Sequence, residues 1–378
     1  MRGLAVALLC ACSAPATLPE LVAAEHSEMA GDTDGALANY HAAQQRCSLL
    51  QPPRRAKQAC SEALLGEAEL LEHAQLLPAA LAAYLAIPDR VTDDPMTAAT
   101  ATYRAGALQL HAGKISEGWS LLWKVVTAYP DEPLAADACK ALLDDGRHRA
   151  PQALADEMGK LLNALPETQV ADNLLWSIAD LYAHELADPA TARAYYDRIP
   201  IDFPESGLRD DARWFAAKLS EELGDPAGAA IRLRALLKTR EVSFGVGSYF
   251  SVWLDDAQLE LGKVLRDSLG DLPGAAAAFR QLPKDYPASI LRDDALYELA
   301  VTLGKAGDLA GRCRAIAELI ELSPTRNTSR VLRSSARVRS GEARARREAL
   351  RPPRGPQRHL PHGRARREAR PDRAGRVG

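Results

Sequence analysis

Rings are scarce in this chain: aromatic residues make up 5% of its 378 residues, whereas 47% are hydrophobic. So few large side chains argue against a broad β-core, and the apolar/polar alternation of strands is absent from every long segment. The apolar run at the N-terminus, Leu4 to Leu9, is far too short to span a bilayer as a permanent helix. Motifs that carry chemistry are missing as well. There is no His-Glu-x-x-His run, and no cysteine spacing resembles a zinc site. His26, His41, His73, His111, His148 and His184 are scattered through amphipathic stretches and read as surface or packing residues. Gly245-Val246-Gly247 lacks the preceding strand and the third glycine of a dinucleotide loop, so it reads as a longer connection. No catalytic, cofactor-binding or metal-ligating residue can be named, and the expectation is a protein that is not an enzyme.

What is present is repetition. Asp210-Asp211-Ala212 and Gly224-Asp225 reappear 83 residues later as Asp293-Asp294-Ala295 and Gly307-Asp308. A second set interleaves: Asp172, Asp188, Phe203-Pro204 and Ser206 return as Asp255, Asp271, Tyr286-Pro287 and Ser289. Each interval therefore holds two helical hairpins. The paired aspartates precede Ala- and Leu-rich runs, where carboxylates suit helix starts as caps and as partners of the helix dipole. Gly270-Asp271 then breaks the run, a second helix carries Ala275 and Phe279, and Tyr286-Pro287 stops it. The same small-then-aromatic pair at a spacing of four recurs at Ala36/Tyr40, Ala80/Tyr84 and Ala192/Tyr196.

On these residues the chain resembles the tetratricopeptide repeat family. Leu261-Gly262, Ala275, Phe279 and Pro287 follow its motif, and Ala36, Tyr40 and Ala43 follow the second half of it. Arg312 departs from it where a small residue is usual, and unit spacings run from roughly 35 to 45 residues against about 34 for the family. The resemblance covers residues 18 to 323. It implies an all-α fold, a right-handed superhelical solenoid of antiparallel helix hairpins; an irregular helical bundle is the structural alternative. It also implies a scaffold that binds other proteins. First helices of successive hairpins would line a groove where Tyr103, Trp176, Trp214 and Tyr297 anchor a partner's segment, or else the four rings simply pack between hairpins.

The N-terminus resembles a bacterial lipoprotein signal, with Met1-Arg2, the apolar run, and Leu9-Cys10-Ala11-Cys12. That resemblance implies a signal over residues 1–12, lipidation of Cys12, and, with Ser13 rather than aspartate next, anchoring at the periplasmic face of the outer membrane. The other reading is an Ala/Leu-rich start to the first helix, or a misplaced start. Cys47 and Cys60 flank Gln51-Pro52-Pro53-Arg54-Arg55 and either form a disulfide or pack as two small core residues. Cys139 and Cys313 read as buried thiols.

The array is expected over residues 13–323. Beyond it, residues 324–378 hold 17 Arg, no Lys and four acidic residues, a charge near +13 that leaves residues 1–323 near −16. This tail also lacks Ile, Phe, Tyr, Trp, Met and Cys. It reads as a frameshifted translation of a GC-rich gene, or as a genuine disordered basic extension with no stable fold past roughly residue 335. The chain is thus read as a membrane-anchored envelope scaffold with protein partners. Two alternatives stand beside it: the accessory region of a peptidoglycan lytic enzyme whose catalytic domain lies elsewhere, and a cytosolic array whose basic tail, if genuine, binds nucleic acid.

Overall fold

The computed structural model describes residues 18–49, 54–239 and 251–322. Cys12, Gly245-Val246-Gly247 and residues 324–378 lie outside them. Among the described residues there are sixteen α-helices and no strands, and in seven of the eight chain-order pairs the two helices pack closely on each other as a hairpin. The pairs are α1 (Pro19–Met29) with α2 (Thr33–Leu49), α3 (Arg54–His73) with α4 (Leu77–Arg90), α5 (Pro95–His111) with α6 (Ile115–Ala128), and α7 (Pro133–Gly146) with α8 (Pro151–Ala164). Then come α9 (Ala171–His184) with α10 (Pro189–Asp202), α11 (Arg209–Glu222) with α12 (Pro226–Leu237), α13 (Leu254–Lys263) with α14 (Leu272–Asp285), and α15 (Arg292–Lys305) with α16 (Leu309–Leu322). Each helix packs chiefly on its neighbours in sequence, which makes the unit an all-α solenoid. The seventh and eighth helices approach each other less closely than any other hairpin pair.

The hairpins close by a repeated device. Gly270 takes a φ of +67°, which a residue without Cβ adopts freely, and Asp271 next to it accepts a hydrogen bond from Gly274 N at 2.8 Å. Asp225 caps Gly228, Asp308 caps Gly311 and Asp188 caps Thr191 in the same way, and Asp94, in the connection between the second and third hairpins, caps Thr97, all at 2.8–3.1 Å. In α5, α10, α12 and α14 a proline in the first turn follows, where its missing N–H costs nothing. In the α9–α10 turn the left-handed position falls to Ala187, with φ +52°.

The paired aspartates are not the caps. Asp210-Asp211, Asp255-Asp256 and Asp293-Asp294 lie inside the first turns of α11, α13 and α15, and these helices have no side-chain cap. Their charges face the positive helix end, while some reach across to the next unit. Asp172 accepts from Ser206 Oγ at 2.5 Å, and 83 residues on Asp255 accepts from Ser289 Oγ at 2.6 Å. In both copies the serine oxygen also accepts from a backbone N–H at 3.0 Å, from Leu208 and Leu291. The period seen in the sequence is therefore a clasp between consecutive hairpins.

The core runs along the stack as four adjoining apolar clusters among the described residues. Second helices end on a shared pattern: Tyr84, Ile87, Pro88; Tyr196, Ile199, Pro200; Phe279, Leu282, Pro283. The ring and the branched residue are almost wholly buried in each. Each such ring contributes on the order of 3 kcal/mol through burial and filled space.

Replacing Asp271 by Ala is expected to cost about 1 kcal/mol, and Ala187→Gly to add roughly 0.5–1 kcal/mol by relieving the left-handed strain. Urea titrations followed by circular dichroism measure both. An unchanged midpoint in the first variant would remove the capping role.

Candidate functional site

Rings from α9, α10, α11 and the start of α13 form a continuous ladder. Trp176 stands edge-on to Tyr196 at 5.0 Å between centroids and to Phe215 at 5.6 Å. Phe215 meets Trp253 edge-on at 5.8 Å, and Trp253 stacks on Trp214 at 5.0 Å with planes 10° apart. The inner end, Tyr196 and Trp176, is core; the outer end, Trp214 and Trp253, is half-buried. Edge and stacked contacts of this kind contribute about 0.5–1.5 kcal/mol each beyond area alone.

Charged groups fix the outer rings. The indole Nε1 of Trp253 donates to Asp211, a carboxylate that burial holds above its ordinary range despite this hydrogen bond. Lys218 Nζ lies 5.9 Å from the Trp214 ring centroid, 2.7 Å from Glu260 and 3.0 Å from Glu221. Lys263 Nζ reaches the other oxygen of Glu260 at 3.2 Å. Burial works to raise Glu260, but Lys263 and Lys218 outweigh it and hold the carboxyl at about 2. Glu221 is raised by burial and by the charge of Glu260.

Of the four rings expected to share a groove, the ladder unites Trp176 and Trp214 only. Trp176 is 9% exposed, so it is a packing residue and not an anchor. Tyr103 on α5 and Tyr297 on α15 are half-buried against separate parts of the core. Trp253 and Phe215 were not singled out from sequence, although the adjacent Trp214-Phe215 pair offered a signal: neighbours in a helix point to different faces and so join two layers.

A second charged cluster ties α7 to α9. Arg147 lies 2.9 Å from Asp180 and 2.8 Å from Glu185, with His184 3.5 Å from Asp180 and His148 3.2 Å from Glu185. Burial raises the Asp180 carboxyl despite the opposing charges of His184 and Arg147. Cys47 and Cys60 are joined as a disulfide with Cα atoms 5.9 Å apart, bridging α2 and α3. Cys139 is buried, its thiol pushed up to about 12 by desolvation. Cys313, expected to be buried, is exposed on α16. No cluster of three or more His, Cys, Asp or Glu able to hold a metal ion occurs among the described residues, and no described helix is long and apolar enough to cross a membrane.

The tetratricopeptide repeat profile matches residues 256–289, the α13–α14 hairpin with the clasp residue Ser289. The chain is a tetratricopeptide-repeat-like protein. Its repeat fold is that of a protein–protein interaction scaffold. No curated protein matches the sequence of this tetratricopeptide-like chain. Among solved structures it is similar to the C-terminal part of a repeat-containing protein from Cytophaga hutchinsonii, at 11% identity over 72% of this chain and 98% of that one, TM-score 0.43. It is also similar to a tetratricopeptide repeat protein from Parabacteroides merdae, at 12% identity over 75% and 97%, TM-score 0.32. A third is YrrB, described as a tetratricopeptide protein with an unusual peptide-binding site, at 14% identity over 54% and 93%, TM-score 0.38.

The depressed Glu260 carboxyl makes a signed prediction. Its folded pKa of about 2 lies below the ordinary 4.5, so its ion pairs contribute stability in full above pH 4.5 and lose it as pH falls towards 2. Stability differences between the parent and Glu260→Gln, measured by urea titration at a series of pH values, should shrink across that window. A difference independent of pH would contradict the pairing.

Proposed function

We propose that this protein is a lipid-anchored scaffold on the periplasmic face of the outer membrane, which holds partner proteins in the cell envelope by binding and without catalysis. The observation that carries the binding role is the hairpin stack with a tetratricopeptide repeat at residues 256–289. A stack of this kind offers long, regularly spaced faces on rigid helices. On one of them the outer ladder rings, Trp214 and Trp253, are half-buried and held in place by Asp211 and Lys218. Rigid, amphipathic rings of this kind make strong anchors because little rotamer entropy is lost when a partner stacks on them.

Anchoring rests on the sequence Leu9-Cys10-Ala11-Cys12 behind a short apolar run. The Cys47–Cys60 disulfide suits an exported chain, because oxidising compartments preserve such bonds and the cytosol rarely does. Closing a loop with a sequence separation of 13 stabilises the α2–α3 joint by on the order of 3 kcal/mol.

The parent is expected to incorporate labelled fatty acid and to fractionate with the outer membrane, while Cys12→Ala does neither. A photo-crosslinking residue at Lys218 should trap a partner in intact cells, with Trp214→Ala reducing the yield about tenfold or more. A parent that takes up no label and fractionates like Cys12→Ala would end the anchoring proposal. Crosslinks unaffected by Trp214→Ala would end the role of the aromatic face.

A further inference from the structure

A groove enclosing about 500 Å³ lies between α14 and α16, floored by leucines of α15 that include Leu299 and Leu303. Arg280 and Lys284, one turn apart on α14, stand on one side of it, and Arg314 on α16 stands on the other. All three are exposed, and none has an ion-pair partner among the described residues. That sets them apart from Lys218, Arg232 and Arg266, which are tied to Glu260, Asp197 and Glu298. Glu318 is the single carboxylate in the lining.

We infer that this groove docks an acidic amphipathic segment of another protein, with leucine-type side chains on the floor and carboxylates against Arg280, Lys284 and Arg314. Three cations against one anion, on a region whose overall charge is near −16, form a local basic spot that selects an acidic partner. The floor leucines are almost wholly buried in the core and offer a shallow apolar base, so charge-assisted contacts to Arg280, Lys284 and Arg314 would supply register and most of the discrimination. Residues 324–378, with their 17 Arg, carry the wrong sign to be that ligand. A flat anionic lipid surface would meet the exposed cations but leave the leucine floor unfilled. This inference does not rest on the aromatic ladder, which lies on α9 to α13.

The test uses the full chain and a fluorescein-labelled helical peptide with leucines on one face and glutamates on both flanks, followed by fluorescence anisotropy. Saturable binding that weakens with salt is expected. Arg280→Glu with Lys284→Glu should lower the affinity about tenfold or more, as should Arg314→Glu, with circular dichroism unchanged. Trp214→Ala should leave this binding as it is, so the two sites stand or fall separately. The inference is overturned if the peptide does not bind saturably, if the charge reversals leave its affinity unchanged, or if the chain binds phosphatidylglycerol vesicles and not the peptide.

Discussion

The stack depends on small residues meeting large ones where helices cross. A Cβ added at Gly262 would come within 2.4 Å of the Phe279 ring, and one added at Gly66 equally close to the Tyr40 ring. Between α5 and α6 the backbones themselves approach, since a Cβ at Gly106 would stand 3.3 Å from the carbonyl oxygen of Gly118. At Gly146 the ring of Trp119 takes the space a side chain would fill. Larger residues at these crossings would force rings off their rotamers at about 1–3 kcal/mol each. A chain with only 5% aromatic residues can build a long core where rings such as Tyr40, Trp119 and Phe279 fill joints whose other half is glycine.

Electrostatics then orders the joints. Aspartates act in two distinct positions: N-caps, which lie on second helices except for Asp94 of α5, and places inside the first turn of a first helix, from which they reach toward a neighbouring unit. Asp172 with Ser206 and Asp255 with Ser289 are copies of one contact, and Asp210, 3.0 Å from the Thr239 hydroxyl, makes a related one. These hydrogen bonds to charged acceptors contribute modestly to stability, on the order of 1.5 kcal/mol each. They tie α9, α11 and α13 to the connections that lead into the next hairpins.

Hairpin existence was legible from sequence because three signals agreed: Gly-Asp at the turn, a small residue four before a ring, and an aromatic-proline stop. The position of the caps was not. Asp271 and Asp255 look alike as residues before an apolar run, and only the backbone distinguishes the N-cap from the first helical turn. The ring, Ile/Leu, Pro ending of α4, α10 and α14 lies in the sequence as well, but its prolines fall inside the last helical turn, where proline alone does not distinguish a helix end from its interior. The candidate site was less legible. Tyr103, Trp176, Trp214 and Tyr297 all lie on first helices, but convergence of rings depends on helix rotation, which periodicity leaves open. Trp253 lies at the N-cap position of α13 and outside any periodic pattern. Cys313 is exposed although Ala276, the fifth residue of α14 as Cys313 is of α16, is buried, a difference set by the neighbouring helices and not by the residues themselves.

Because core contacts join mainly neighbouring helices, a scaffold of this type can bind through one stretch without remodelling the rest. That locality unites the fold, the aromatic ladder and the basic groove, and it can be measured directly by amide hydrogen exchange of Phe279→Ala beside the parent protein. The account predicts lost protection in α13 to α15 and their immediate neighbours, with the amides of α3 to α6 unchanged. Equal loss from α1 through α16 would show a single cooperative globule and contradict it.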